Sequence, residues 1–247
     1  MIQGLNTYRF FAFFAVFLSH VQILVSGYLG VSAFFVLSGF LITPILLSMK
    51  AETSSAYFIK FYGRRSIRIF PLYYFYLAAI AFIFLVTKTT DEGSFYFFKN
   101  LPYAITYTFN FFHASSAFKH TDLLSHFWSL AVEEQFYLLW PLLLFFIPNK
   151  FIKHLLIFFA LLSPILRWLF FIYIKFPEYS FLFENKSVVV YVLPTSHLDA
   201  FAIGGLFALF IKNVKPLYTW AALFFFIAIG IATHYYANGF LYFQAGI

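Results

Sequence analysis

The chain has 247 residues, of which 63% are hydrophobic and only 10% are charged. A soluble globular domain carries about 25% charged residues, so this composition argues against a water-soluble enzyme and indicates a chain surrounded mostly by lipid. Cysteine is absent, which excludes disulfides and thiolate metal sites.

Apolar stretches of about 20 residues, the length that crosses a bilayer core of about 30 Å, recur along the chain. A further stretch at 95–112 contains lysine, asparagine and proline, which suits a helix lying in the membrane interface as well as a crossing. We favour the interface for that stretch. The six good spans are 5–24, 28–49, 66–87, 127–147, 154–174 and 217–236, and a weaker seventh at 194–211 contains Asp199.

The first span is predicted to stay in the mature protein as a transmembrane helix. Arg9 interrupts its apolar run and a second span follows within a few residues, unlike a cleaved signal peptide. The chain ends in an apolar segment, 240–247, that reads as the start of another helix. The sequence therefore predicts an all-α, polytopic transmembrane helical bundle that forms one domain over 1–247, with C-terminal helices missing.

Lysine and arginine are distributed unevenly between the predicted connections. With the N-terminus inside and 95–112 not crossing, the inner connections carry nine basic residues against Glu52 alone, whereas the outer connections carry five of each sign. Cytoplasmic loops carry the excess of basic residues, so the N-terminus is predicted to be cytoplasmic. The inner basic residues are Lys50, Lys60, Arg64, Arg65, Arg68, Lys150, Lys153, Lys212 and Lys215.

A few ionisable residues remain inside the spans, where a charge costs at least about 2.5 kcal/mol at a helix centre. His20 follows Arg9 by eleven positions, which is three helical turns plus about 20°, so the two share a face and lie about 16 Å apart along the axis. This shared stripe favours a functional role for both, whereas Arg167 on its own suits helix packing. The ionisable residues inside the spans are Arg9, His20, Glu133, Glu134, Arg167 and Asp199.

Besides the stripe of Arg9 and His20, three segments carry distinctive motifs: GVSAFFVLSGFLIT at 30–43, FYGRRSIRIFPLYY at 61–74 and HFWSLAVEEQFYLLWP at 126–141. Together these four segments resemble the acyltransferase-3 family of bacterial integral-membrane O-acyltransferases. Arg9 and His20 match its pattern of a basic residue, ten intervening residues and a histidine on the first helix. A fifth segment, 196–204, is similar to another family block but has His197 where that block has arginine, which weakens any role for position 197.

The resemblance implies an enzyme that transfers an acyl group, most often acetyl, from acetyl-CoA or another acyl-CoA to a sugar hydroxyl. The implied acceptor is a cell-surface glycan or lipid-linked sugar, such as lipopolysaccharide, peptidoglycan or another polysaccharide. The acyl-CoA is a co-substrate and no permanently bound cofactor is implied. The implied location is the bacterial inner (cytoplasmic) membrane, with the bilayer, the donor and the acceptor as partners and no nucleic acid.

Transfer of an acyl group from a thioester to an alcohol requires a base that accepts the hydroxyl proton. Imidazole titrates near neutral pH, so His20 is the predicted general base. Glu133 is predicted to orient the imidazole and stabilise the imidazolium, because counting from the outer ends of the spans places both residues at similar depth. Arg9 is predicted to contact the pantetheine arm of the donor or its carbonyl oxygen.

The donor is predicted to bind at the inner mouth of the third span. Arg64, Arg65 and Arg68 cluster there, and guanidinium groups hold phosphates through forked, charge-assisted hydrogen bonds. The alternative is that these arginines only set the orientation of the chain in the membrane. Ser38 is expected to permit close helix packing, since no histidine at local spacing supports it as an acyl-accepting nucleophile.

Acceptor binding is assigned to Trp128, Ser129 and Asp199. Ser129 falls on the same helical face as Glu133. Three histidines precede Trp128, but their spacing matches no familiar metal-ligand motif, and we predict a loop that helps to admit the acceptor and no metal site. These histidines are His113, His120 and His126.

Two other functions stay open at this point. The same charged stripe inside a bundle suits a membrane transporter of acyl or glycan substrates, although no second copy of the Arg9 to His20 pattern indicates the internal repeats that transporters commonly show. The third possibility is that the chain is an inactive remnant, which without the C-terminal helices cannot complete the cavity of the active site.

Overall fold

The structure, a computed structural model, describes residues 5–20, 27–115, 117–118, 123–173 and 190–210. Every regular element in these ranges is a helix, so the all-α prediction is confirmed. The predicted span 217–236, the loop histidine His120 and the side chain of His20 lie outside the described residues. The helices are α1 (Leu5–His20), α2 (Gly27–Met49), α3 (Ser54–Thr87), α4 (Glu92–Ile105), α5 (Phe109–His113), α6 (Phe127–Phe146), α7 (Asn149–Tyr173) and α8 (Leu198–Phe210), with a 3₁₀ turn at Pro194–His197.

Four of the described helices are long and apolar enough to cross a membrane: Leu29–Met49, Ser54–Thr87, Phe127–Phe146 and Asn149–Phe170. The first and third agree with the predicted spans 28–49 and 127–147, and the other two overlap the predicted spans 66–87 and 154–174. The chain is therefore an integral membrane protein with a helical bundle.

Helix α3 begins twelve residues earlier than the predicted span. Thr53 caps it by accepting a hydrogen bond from the backbone N–H of Ala56, and its 34 residues correspond to about 51 Å. The predicted span began at 66 because lysine and arginine interrupt the apolar run before it, and these residues, which are good helix formers, continue the helix beyond that span. The three arginines consequently project from within a continuous helix.

The ambiguous stretch at 95–112 forms two short helices, α4 and α5. Helix α4 has 14 residues, or about 21 Å, which is shorter than a bilayer core of about 30 Å. Asp91 caps its first turn, and the bond from the backbone N–H of Ser94 holds the pKa of that carboxyl below its usual value. Tyr73 of α3 donates to the carbonyl of Ala104, so α4 folds back along α3.

Glycine allows α2 to pack closely on α8 and α1, as small residues do between membrane helices. A Cβ placed on Gly39 would lie 2.0 Å from the carbonyl oxygen of Phe201 in α8. A Cβ on Gly30 would lie 2.6 Å from the carbonyl oxygen of Ala12 and 2.7 Å from Cγ2 of Val16 in α1. These contacts fix the register of α2 against both neighbours.

Candidate active site

Glu133 lies at the meeting point of α2 and α6. Ser38 of α2 donates a hydrogen bond to its Oε1 at 2.5 Å, and the hydroxyl of Tyr137, one turn further along α6, donates to the same oxygen. The two hydroxyl oxygens lie 3.1 Å apart. One oxygen of this half-buried carboxylate thereby accepts hydrogen bonds from two hydroxyl groups, as a charge inside a membrane helix requires polar partners.

The ring of Tyr137 connects this carboxylate to the arginines of α3. The guanidinium carbon of Arg65 lies 4.7 Å from the centre of the Tyr137 ring and 5.9 Å from that of Phe61. Both distances are within the range of a cation–π interaction. Arg65 is half-buried, whereas Arg64 and Arg68 are exposed, so the three predicted phosphate ligands have different environments.

A basic pocket of about 190 Å³ lies between the second half of α2 and the first half of α3. Four cationic side chains and three apolar side chains line it, which is a chemistry suited to an anionic ligand with an apolar part. The predicted donor arginines are all present in the lining. The lining residues are Ile45, Met49, Lys60, Phe61, Arg64, Arg65 and Arg68.

Two of the predicted basic connections meet at one end of the bundle. Lys50, which follows α2, donates to the carbonyl oxygen of Ile147 at the end of α6. The α2–α3 connection therefore lies beside the α6–α7 connection and the start of α7, which carries Lys150 and Lys153. The pocket opens on the half of α2 and α3 nearest to this basic end.

The register of α1 on α2 places Arg9, and not His20, at the depth of Glu133. Gly30 packs between Ala12 and Val16, and we take α1 and α2, which are separated by only six residues in the sequence, as antiparallel neighbours. Counting outward from this contact at 1.5 Å per residue, Arg9 lies about one turn from the depth of Ser38, whereas His20 lies about 20 Å from it. This count, unlike counting from the span ends, does not place Glu133 and His20 at one depth, because distance from a span end measures depth only if the spans end at one level.

Trp128 and Ser129 lie in the first turn of α6. The Trp128 ring is buried against Tyr191 and His197, with ring centres 4.7 and 5.7 Å apart. Ser129 is half-buried and donates to the carbonyl oxygen of His126 at 3.0 Å. Both precede Glu133 by at least one helical turn, on the side of α6 away from the basic end.

Asp199, the third predicted acceptor ligand, is engaged in an ion pair. Its Oδ2 lies 2.5 Å from Nη2 of Arg167, and its Oδ1 accepts from the hydroxyl of Ser163 at 3.2 Å. Arg167 also donates to the carbonyl oxygen of Ser196 at 2.7 Å. Arg167 thus has the packing role expected for it, and it joins α7 to α8.

The structure adds two polar residues that the sequence did not assign to the site. Ser38 was expected only to pack, and Tyr137 was not considered. The available signal was the spacing of Glu133 and Tyr137, since residues four apart on a helix are neighbours. Ser38 lies 95 positions from Glu133, so no local pattern reports that contact.

Comparison with known proteins identifies the chain from a match over nearly its whole length. Residues 2–246 match the acyltransferase-3 family, described as an acyltransferase domain. The chain belongs to this family. The resemblance inferred from the four sequence segments is therefore confirmed, and the acyltransferase-3 helices include both the basic pocket and the Glu133 cluster.

Individual relatives match parts of this acyltransferase-3 chain. The O-acetyltransferase OatA of Staphylococcus aureus is 34% identical over 157 residues, which is 61% of this chain and 26% of OatA. The putative peptidoglycan O-acetyltransferase YrhL of Bacillus subtilis is 34% identical over 152 residues, which is 58% of this chain and 24% of YrhL. The matches thus cover about a quarter of these relatives' length. No solved structure matches the chain.

Proposed function

We propose that the chain is a membrane O-acyltransferase that takes an acyl group, acetyl in the simplest case, from acyl-CoA and transfers it to a hydroxyl of a glycan. Family membership and the names of the relatives, O-acetyltransferase and peptidoglycan O-acetyltransferase, support the reaction and the class of acceptor. The observation that carries the donor side is the basic pocket. Its four cations and its apolar wall suit the phosphates and the adjoining parts of coenzyme A.

The geometry supports a donor that extends along the bundle from the arginines toward His20. The pantetheine arm has about fourteen bonds between its pyrophosphate phosphorus and the thioester carbon. An extended polypeptide spans about 3.5 Å per three bonds, so the arm reaches about 16 Å. This equals the rise of about 16 Å between Arg9 and His20. We therefore place the pyrophosphate near Arg9, the adenosine 3′-phosphate among the arginines of the basic pocket, and the thioester at His20.

In this proposal His20 is the general base. The hydroxyl oxygen of the acceptor attacks the thioester carbon while its proton passes to the imidazole, the C–S bond breaks, and the imidazolium returns the proton to the departing thiolate. No acyl-enzyme is required. Arg9 contacts the phosphate end of the arm rather than the carbonyl oxygen, because the thioester lies about three turns away.

The acceptor enters from the end opposite the basic connections. Ser129 and Trp128 lie on the His20 side of Glu133 and are proposed to contact the sugar, Ser129 through its half-buried hydroxyl. Asp199 is proposed to support this end of the site through its pair with Arg167. The described helices pack on one another, and we treat the chain as a single transmembrane domain.

The orientation follows from the basic end of the bundle. Because inner loops of membrane proteins carry the excess of lysine and arginine, we propose that the end with Lys50 and Ile147 faces the cytoplasm, with the N-terminus on the same side. This orientation gives the pocket access to cytoplasmic acyl-CoA and gives His20 access to the outer face of a bacterial inner membrane.

Labelled transfer in proteoliposomes tests the function. The 247-residue chain is supplied with radiolabelled acetyl-CoA and β-1,4-linked N-acetylglucosamine oligomers. We expect alkali-labile label on the oligomers, lost in His20→Ala. Label that accumulates inside the vesicles without esterification would instead identify a transporter. If neither esterified nor accumulated label is found, this chain does not perform the reaction.

A further inference from the structure

Among the residues that the structure describes, Glu133 is hydrogen-bonded only to hydroxyl groups, and none of these contacts serves a base. Its Oε1 accepts from Ser38 and from Tyr137. His20 lies about 20 Å away along the helix axes, a distance that no side chain covers. A carboxylate that orients a catalytic imidazole has to be hydrogen-bonded to it, so Glu133 needs a different role.

Tyr137 connects Glu133 to Arg65, because its hydroxyl and its ring contact different groups. Its hydroxyl donates to Glu133 and its ring face holds the guanidinium of Arg65 at 4.7 Å. The side chain is buried, so it has few alternative positions. Fixing the hydroxyl fixes the ring, and the ring fixes the lateral position of Arg65.

Arg65 lines the basic pocket together with Arg64 and Arg68. The latter two are exposed, and long exposed side chains lose conformational entropy when they bind a phosphate. Arg65 is already held over an aromatic ring before any ligand arrives. A preorganised cation binds more tightly than a mobile one with the same charge.

We propose that Glu133, with Ser38, is a positioning residue of the donor site, which acts through Tyr137 to hold Arg65 in place for the phosphates of the acyl-CoA. This inference rests on the proposed function, since it specifies which residues prepare the site for that donor. It differs from the assignment of Glu133 to the base, because the two roles predict changes in different kinetic quantities.

The affinity for free coenzyme A, measured by calorimetry on the full chain in lipid nanodiscs, tests the proposal without relying on turnover. Tyr137→Leu removes both the hydroxyl and the ring, and we expect the dissociation constant to rise about tenfold, the equivalent of one lost charge-assisted interaction. Tyr137→Phe keeps the ring and should raise it less. The matched control is Tyr62→Phe, which removes another α3–α6 hydrogen bond, to the carbonyl of Leu138, and should leave binding unchanged.

Glu133→Gln distinguishes the two roles of the carboxylate by kinetics. If Glu133 acts on the donor site, Glu133→Gln raises KM for acetyl-CoA while the pH midpoint of kcat stays at the wild-type value. A shifted pH midpoint together with unchanged KM would overturn the proposal and return Glu133 to the base. Equal coenzyme A affinities in wild type and Tyr137→Leu would also overturn it.

Failure of the proposed function gives a different result from failure of this inference. If wild type binds no coenzyme A, the donor assignment falls and the inference falls with it. If wild type binds and transfers while the Tyr137 variants bind equally well, only the positioning role is lost.

Discussion

Replacement of Gly39 by alanine tests the packing on which the site depends. A Cβ at this position lies 2.0 Å from the carbonyl oxygen of Phe201, whereas ordinary contact begins at 3.4 Å. Helices α2 and α8 must therefore separate by about 1.4 Å. A gap of only about 0.5–1 Å already removes a quarter to a half of each dispersion contact. Since overpacking usually lowers the free energy of unfolding by about 1–3 kcal/mol, we expect Gly39→Ala to lower it by about 3 kcal/mol.

Gly63 provides the matched control for this substitution. It lies inside α3, and a Cβ there meets nothing within 4 Å. Alanine at that position should stabilise the helix by about 0.5–1 kcal/mol. Unfolding of both variants by titration with a denaturing detergent in mixed micelles gives the comparison. Gly39→Ala as stable as Gly63→Ala would refute the close approach of α2 and α8.

Three further predictions concern other contacts and the orientation. Asp199→Asn leaves the Arg167 guanidinium without its anion and should cost about 2 kcal/mol, less than for a fully buried pair; unchanged unfolding in the same titration would contradict the pairing. Trp140→Phe removes the indole bond to Thr43, 3.0 Å long, and should cost about 1 kcal/mol; a stabilised variant would show that this bond does not form. Because the chain has no cysteine, Glu52→Cys is a unique label site, which a membrane-impermeant maleimide should modify only in inside-out vesicles. Modification in right-side-out vesicles would show that the chain has the opposite orientation.

The sequence predicted the helices whose limits coincide with changes in hydropathy. Helices α2 and α6 begin and end close to the limits of an apolar stretch, although α6 contains Glu133 and Glu134, so the predicted 28–49 and 127–147 agree with Gly27–Met49 and Phe127–Phe146. Helix α3 does not follow this rule, because its first turns contain basic residues that remain helical. Hydropathy locates the part of a helix in lipid, and the helix itself can continue beyond it.

The candidate site was predicted less completely than the fold. The arginines at 64, 65 and 68 were recognised from their cluster, and all three line the pocket. The relation of Glu133 to Ser38 and Arg65 depends on the relative shift of α2, α3 and α6, which is set by close contacts such as Gly30 on Ala12. A helical pattern gives the face of each residue, but it does not give the shift between two helices.

The position of the thioester is the central claim, and photocrosslinking measures it most directly. A coenzyme A analogue with a photoreactive group on its sulfur is bound to the chain, irradiated, and the labelled peptide is identified by mass spectrometry. We predict label in the last two turns of α1, around His20, and no label in the part of α2 around Ser38, which is distant from His20. Label concentrated around Ser38 and Glu133 would contradict the account, since the acyl group would then lie about 20 Å from the proposed base.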